Sequence, residues 1–181
     1  MNENVIQPDA AADPLAPYLR PGIYADSGHP AIVAFAEANA NRGMAPREIA
    51  VALYYAVRDG FRYDPYVVDL ESDTLKASHV AETGRGFCIS KAALLAACAR
   101  ALGVPVRLGY ADVRNHLTSQ RLRDMMGTDL FVFHGYTEFW LGGKWVKATP
   151  AFNRSLCEKA GIEPLEFDRA ADSVFPDFDV R

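Results

Sequence analysis

The sequence predicts an α+β domain, and three observations predict it. Apolar residues recur at helical spacing through roughly the first hundred positions, the period changes to two from Val104 onward, and Gly142-Gly143 joins two alternating runs. Helices come first and antiparallel strands follow, with no internal repeat and no second domain.

Residues 1 to about 21 carry Pro8, Pro14, Pro17 and Pro21 without periodicity. They read as a flexible N-terminal arm, or as a segment draped over the core, ahead of a single domain spanning 22–181. A helix fits Pro30 to Asn41, with proline in its first turn, Ile32, Phe35 and Ala36 at helical spacing, and Gly43 as its stop. A second fits Pro46 to Arg58, where Ile49, Leu53, Ala56 and Val57 make one apolar face. The aromatic stretch Phe61 to Tyr66 reads as a short extended segment and a turn.

The third helix runs from about Cys88 to Leu102 and is apolar almost all round, the pattern of a helix inside a domain. Gly103 at its C′ position and Pro105 just after end it. Before it, Gly84 and Gly86 suit a tight turn aimed into the helix N-terminus. From Val104 to Tyr110 the alternation is that of a strand. Residues 113–129 read as a long polar loop with a helical turn. Leu130 to Leu141 and Lys144 to Thr149 read as a β-hairpin about Gly142-Gly143. The tail from about Glu158 is acidic, with Phe167, Phe175 and Phe178 as its packing residues.

Composition narrows the function classes. The 181 residues carry a formal net charge of −4, with half of them hydrophobic and 23% charged. No basic stripe with interleaved aromatics is present, which argues against a nucleic-acid partner. No apolar run approaches the roughly 20 residues of a membrane helix, and Met1 to Tyr18 lacks the basic start and apolar core of a signal peptide. The expectation is a cytoplasmic protein without a membrane partner. Three cysteines without CxxC spacing suggest neither a disulfide framework nor a zinc knuckle, so no metal or cofactor is expected.

Cys88 falls in the first turn of the buried helix, where unbonded N–H groups and the helix dipole favour a thiolate. The plainer reading of such a cysteine is a small apolar core residue. Cys98, mid-helix among alanines, fits that reading, and Cys157 falls in a polar loop as an incidental residue. His134 interrupts the apolar run Leu130 to Tyr136, as a backbone-bonded core histidine would. Together, a cysteine at a helix N-terminus and a histidine on a later strand supply the two parts of a thiolate–imidazolium pair. His29, His79 and His116 fall in apparent turns or loops, with surface roles.

Hairpin register tells where a third group would lie. With Leu141 facing Lys144, His134 faces Ala151 and Thr149 is its diagonal neighbour. Glu138 faces Lys147 and reads as half of a cross-strand ion pair.

The run Gly84-Arg85-Gly86-Phe87-Cys88, followed by Lys91 to Leu95 and Arg100 to Arg107, resembles the nucleophile helix of the bacterial transglutaminase-like superfamily. The segment from His134 to Val146 resembles that family's histidine strand and hairpin. The resemblance covers roughly residues 45–155 and implies a papain-like fold, in which a central buried helix bearing Cys88 packs on an antiparallel sheet. It implies Cys88 as nucleophile and His134 as base of an acyl transfer or amide hydrolysis on a protein or peptide substrate. The family's third member, an aspartate just after the Trp-Val of the hairpin, is Thr149 here. A hydroxyl can accept an imidazole N–H but brings no full charge, and loss of the carboxylate in a related triad costs about 10⁴-fold in turnover. Asn153 is a second candidate for that role. The Cys88 N–H is expected as one oxyanion donor; the sequence does not identify the second, for which Tyr63 is a candidate from its neighbourhood. Specificity falls to the 111–129 segment, with Arg114, Asn115, His116 and Arg121. The alternative is a domain that keeps the fold and binds a peptide without catalysis.

Overall fold

A computed structural model describes residues 13–66, 73–114, 127–128, 130–167 and 173, without the side chains of Arg114 and Phe131. Residues 1–12 of the expected arm lie outside the described residues. So do Asn115, His116 and Arg121 of the expected specificity segment, and Phe175 and Phe178 of the tail.

Local sequence sets the helix ends. Helix α1 (Pro30–Asn39) is capped by His29, whose Nδ1 accepts the Ala31 N–H at 3.3 Å. Helix α2 (Pro46–Gly60) has a carboxylate cap, since Glu48 accepts the Ala45 N–H at 3.0 Å. The short strand β1 (Arg62–Tyr63) follows. Helix α3 (Ala77–Thr83) closes on Gly84 at φ 72, a left-handed conformation that glycine adopts without strain. Strand β2 (Arg85–Gly86) then pairs in parallel with β1, Tyr63 lying beside Gly86.

Helix α4 (Cys88–Ala101) is the centre of the molecule. Every residue from Ser90 to Ala99 is buried, because α1, α2 and α3 cover one side of it and the sheet the other. It ends in the expected glycine motif: Gly103 N–H reaches the Arg100 carbonyl and Val104 N–H the Ala99 carbonyl. Fully burying each of Leu94, Leu95 and Phe139 in this core stabilises the fold by roughly 1.5–3 kcal/mol.

The main sheet has the order β3 (Val106–Arg114), β4 (Leu130–Leu141), β5 (Lys144–Ala148), all antiparallel. Gly142 and Gly143 both take positive φ, so they make the two-residue turn the sequence predicts. The register is the predicted one, Leu141 facing Lys144 and Glu138 facing Lys147. Thr137, Phe139 and Leu141, on one face of β4, are buried, and the Thr137 hydroxyl donates to the Ala92 carbonyl of α4 at 3.1 Å.

Three expectations are corrected here. Glu138 takes Arg107 of β3 as its ion-pair partner instead of Lys147, whose Nζ lies 5.4 Å from the centre of the Tyr136 ring. Cys157 is not in a polar loop: it is buried in helix α5 (Arg154–Ala160). His79 belongs to α3. Of the N-terminal segment, Ala16–Leu19 form a 3-10 helix, Tyr18 meets Trp145 edge-on at 4.7 Å, and the Arg20 carbonyl accepts from Arg100 at 3.0 Å. Near the other end Phe167 is buried against Tyr54 and Phe139, and Ser173 forms a parallel bridge to Ala148. Among the described residues no helix is long and apolar enough to cross a membrane.

Candidate active site

Cys88 is the first residue of α4, and two local devices put it there. Phe87 stays extended while its N–H is accepted by Ser90 Oγ at 3.1 Å. Gly86 admits the chain, since a Cβ on it would stand 2.7 Å from that same Oγ and 3.2 Å from Val80. Cys88 is 9% exposed, and the backbone N–H groups of Gly135 and Ile89 pull its thiol down.

The Gly135 donor comes from the strand that bears His134. Trp140 gives its N–H to the Pro105 carbonyl, so in β4 beyond the irregularity before His134 even-numbered residues aim their N–H groups at β3 and odd-numbered ones at β5. The β5 ladder stops at the pair Thr137–Ala148. Past that point the Gly135 backbone closes on the first turn of α4. The approach is possible because Gly135 has no side chain: a Cβ there would lie 2.7 Å from Ile89 Cα. Sequence reasoning passed over Gly135, although an isolated glycine inside a strand is the mark of such close backbone contact.

His134, immediately before it, is 5% exposed. The strand is irregular just there. Ala111 faces His134 but Val113 faces Phe131, so Val132 and Phe133 together oppose Asp112 in a β-bulge. Phe133 has φ 59, the one non-glycine residue with positive φ among the described residues, and Asp112 Oδ1 accepts its N–H at 3.1 Å.

Burial governs the electrostatics. Removal from water pushes the Cys88 thiol up, against the pull of those N–H groups, and pushes the His134 imidazole down to about 4. Burial thus works against the charged form of both groups. The N-terminal N–H groups oppose desolvation here but do not outweigh it. The Tyr63 phenol is raised well above its ordinary range, by burial first and by proximity to Cys88 second, so it remains a proton donor. Tyr63 packs with Phe87, Cys88 and Ala151, and meets Phe152 edge-on at 4.7 Å.

Thr149 is the first residue beyond β5. It is buried, its N–H goes to the Ser173 carbonyl at 3.1 Å, and its own carbonyl accepts the Tyr54 hydroxyl at 3.2 Å. Because the ladder has ended, the chain does not continue opposite His134 as a regular strand; it turns beneath α4. Ala151 joins the Cys88 cluster. Asn153, the other candidate third member, spends its amide elsewhere: Oδ1 accepts the Tyr63 N–H at 3.2 Å and Nδ2 donates to Ser155 Oγ at 2.7 Å.

Lys91, one turn along α4 from Cys88, is 0% exposed. Its ammonium donates to the carbonyls of Arg58 at 2.9 Å, Phe61 at 2.8 Å and Ala151 at 2.9 Å. One buried cation thus ties the end of α2, the approach to β1 and the turn after Thr149 to the nucleophile helix. Cys98 is a core residue with its thiol pushed up to about 12 by burial. Among the described residues no three His, Cys, Asp or Glu side chains group as a metal site.

Comparison with known proteins bears on the family and the fold. A family model described as the transglutaminase-like superfamily matches residues 33–150, from α1 to just past Thr149. The crystal structure of a Cytophaga hutchinsonii protein, provisionally named a cysteine protease, superposes with a TM-score of 0.57 at 19% identity. The match covers 81% of this chain and 44% of that one, so the chain spans less than half the length of that protein and the likeness is one of fold. No curated protein matches the chain.

Proposed function

The chain belongs to the transglutaminase-like superfamily, and from that premise we propose that it catalyses cysteine-dependent acyl transfer or amide hydrolysis, with Cys88 as nucleophile and His134 as general base. The observation that carries the reading is the close approach of Gly135, the residue after His134, to the first turn of the buried helix, where a Cβ on it would lie 2.7 Å from Ile89 Cα.

The resting pair is neutral, so proton transfer accompanies attack. His134 takes the Cys88 proton as the sulfur adds to an amide carbonyl of a glutamine side chain or a peptide bond. The C–N bond then breaks, the imidazolium returns the proton to the departing amine or ammonia, and a thioester remains. Water or a second amine, deprotonated by the same imidazole, attacks the thioester and releases Cys88. Water gives hydrolysis; an amine gives a cross-link. The N–H of Cys88 and the protonated Tyr63 phenol are the donors for the oxyanion. Thr149 stands where the family carries its aspartate and supplies a hydroxyl in place of a charge.

That same Thr149 supports a second reading, a peptide-binding domain without turnover. The two separate by chemistry. Iodoacetamide at pH 8 is expected to label Cys88 first among the three cysteines, more slowly in His134→Ala and not at all in Cys88→Ala. Labelling of Cys88 no faster than Cys98 and Cys157, with no amine incorporation or ammonia release from a casein substrate, sinks the enzyme.

A further inference from the structure

Asn153 stands at the N-cap of α5, and asparagine is among the residues whose side-chain oxygen ordinarily bonds the first N–H groups of the helix that follows. Here it makes no such bond. Its Oδ1 reaches instead to Tyr63, 90 positions earlier in the chain, and accepts that backbone N–H at 3.2 Å. Its Nδ2 donates to Ser155 Oγ at 2.7 Å, which holds the amide with its oxygen turned to Tyr63. A side chain suited to capping its own helix is given over to a distant strand.

Tyr63 has a use for that acceptor. Strand β1 belongs to a two-stranded sheet, and the N–H groups of Arg62 and Asp64 go to the Gly84 and Gly86 carbonyls of that pairing, both at 2.9 Å. The N–H of Tyr63, between them, therefore points away from β2, to the edge of the sheet that β2 does not cover. Asn153 closes that edge, while Phe152 meets the Tyr63 ring edge-on at 4.7 Å. The segment that supplies both is itself anchored. Lys91 of the nucleophile helix holds the Ala151 carbonyl at 2.9 Å, and Asp59 at the end of α2 accepts the Arg154 N–H at 2.8 Å. Tyr63, in turn, stands beside Gly86, two residues before Cys88, and packs on the cluster that contains Cys88 and Ala151.

We propose that Asn153 is a positioning residue of the oxyanion pocket, fixing Tyr63 against Cys88 so that the phenol meets the carbonyl oxygen as the sulfur adds. This rests on the reading of Cys88 as the nucleophile and Tyr63 as a donor. A donor contributes to turnover only when it is held where the charge develops, and Asn153 acts on the reaction through Tyr63 alone.

The test uses the full chain as wild type, Asn153→Ala, Tyr63→Phe and the double variant, read by ammonia release from casein. Asn153→Ala is expected to lower kcat at least tenfold with KM within twofold of wild type, and to lower it no further when added to Tyr63→Phe. Asn153→Asp keeps an oxygen for the Tyr63 N–H and is expected to return kcat to within threefold of wild type. Amide hydrogen exchange gives a readout that needs no turnover. The Tyr63 N–H is expected to exchange at least tenfold faster in Asn153→Ala and at the wild-type rate in Asn153→Asp. An unchanged kcat in Asn153→Ala, a loss that recurs in full on Tyr63→Phe, or Tyr63 exchange indifferent to position 153 overturns the proposal. So does an active wild type whose kcat is unchanged in Tyr63→Phe, which removes Tyr63 as a donor while the enzyme stands. A wild type without turnover whose Tyr63 amide still responds to position 153 refutes the enzyme and not the hold of Asn153 on Tyr63.

Discussion

Replacing Lys91 by methionine removes the cation but keeps the length and apolar stem of the side chain. An ammonium has three N–H donors and no acceptor, and all three are used on main-chain carbonyls. One of those carbonyls, Arg58, belongs to the last turn of α2, where no intrahelical partner exists and a cation is favoured by the dipole. In Lys91→Met each buried carbonyl left without a donor costs about 1–3 kcal/mol, offset in part by the several kcal/mol no longer spent on keeping an ammonium out of water. The net expectation is a loss of about 2–4 kcal/mol at pH 7. Guanidinium unfolding followed by Trp140 and Trp145 fluorescence measures it, as a lower midpoint with an unchanged slope. A pH series adds a signature. Burial pushes the Lys91 amine down to about 7, from 10.5. Between those values the unfolded chain binds the extra proton, so the contribution of Lys91 rises with pH across that window, by at most about 1.4 kcal/mol per unit. A variant within 0.5 kcal/mol of wild type, or a wild-type-minus-variant difference that stays flat from pH 7 to 9, refutes the reasoning.

Gly135→Ala drives a methyl into the backbone of Ile89, which cannot give way as a flexible side chain would; a loss of about 1–3 kcal/mol and altered Cys88 alkylation are expected, and wild-type behaviour in both counts against the close approach. With the thiol raised and His134 lowered to about 4, alkylation of Cys88 is expected to climb steadily from pH 6 to 9; a plateau between pH 4 and 6 would instead reveal a resting ion pair. Thr149→Asp restores the family's charge and is expected to raise the His134 pKa, by NMR titration, and to raise turnover by on the order of 10²-fold. A folded variant in which neither changes shows that position 149 does not act on the imidazole.

Some of this was legible because it is local. The proline starts of α1 and α2, the glycine stop of α4 and the two-glycine turn of the hairpin depend on neighbouring residues alone, and the structure repeats them. Helices α3 and α5 escaped, since seven residues make scarcely two turns and give little periodic signal. The partner of Glu138 escaped for another reason. A hairpin predicts the neighbour on β5, but β4 is a central strand, and Arg107 on its other side took the carboxylate.

By itself the sequence determined the α+β order, the hairpin register and the place of Cys88 at the head of a buried helix, because caps, turns and periodicity act over a few residues. Only the tertiary structure decided the state of the site. Past the end of the β5 ladder Gly135 closes on the first turn of α4, the bulge at Phe133 sets the strand leading into His134, and Lys91 is drawn inside to hold three carbonyls. The charge on Cys88 and His134 belongs to the same class. A helix N-terminus favours a thiolate, but whether water is excluded depends on segments far away in the chain, and here desolvation outweighs the dipole.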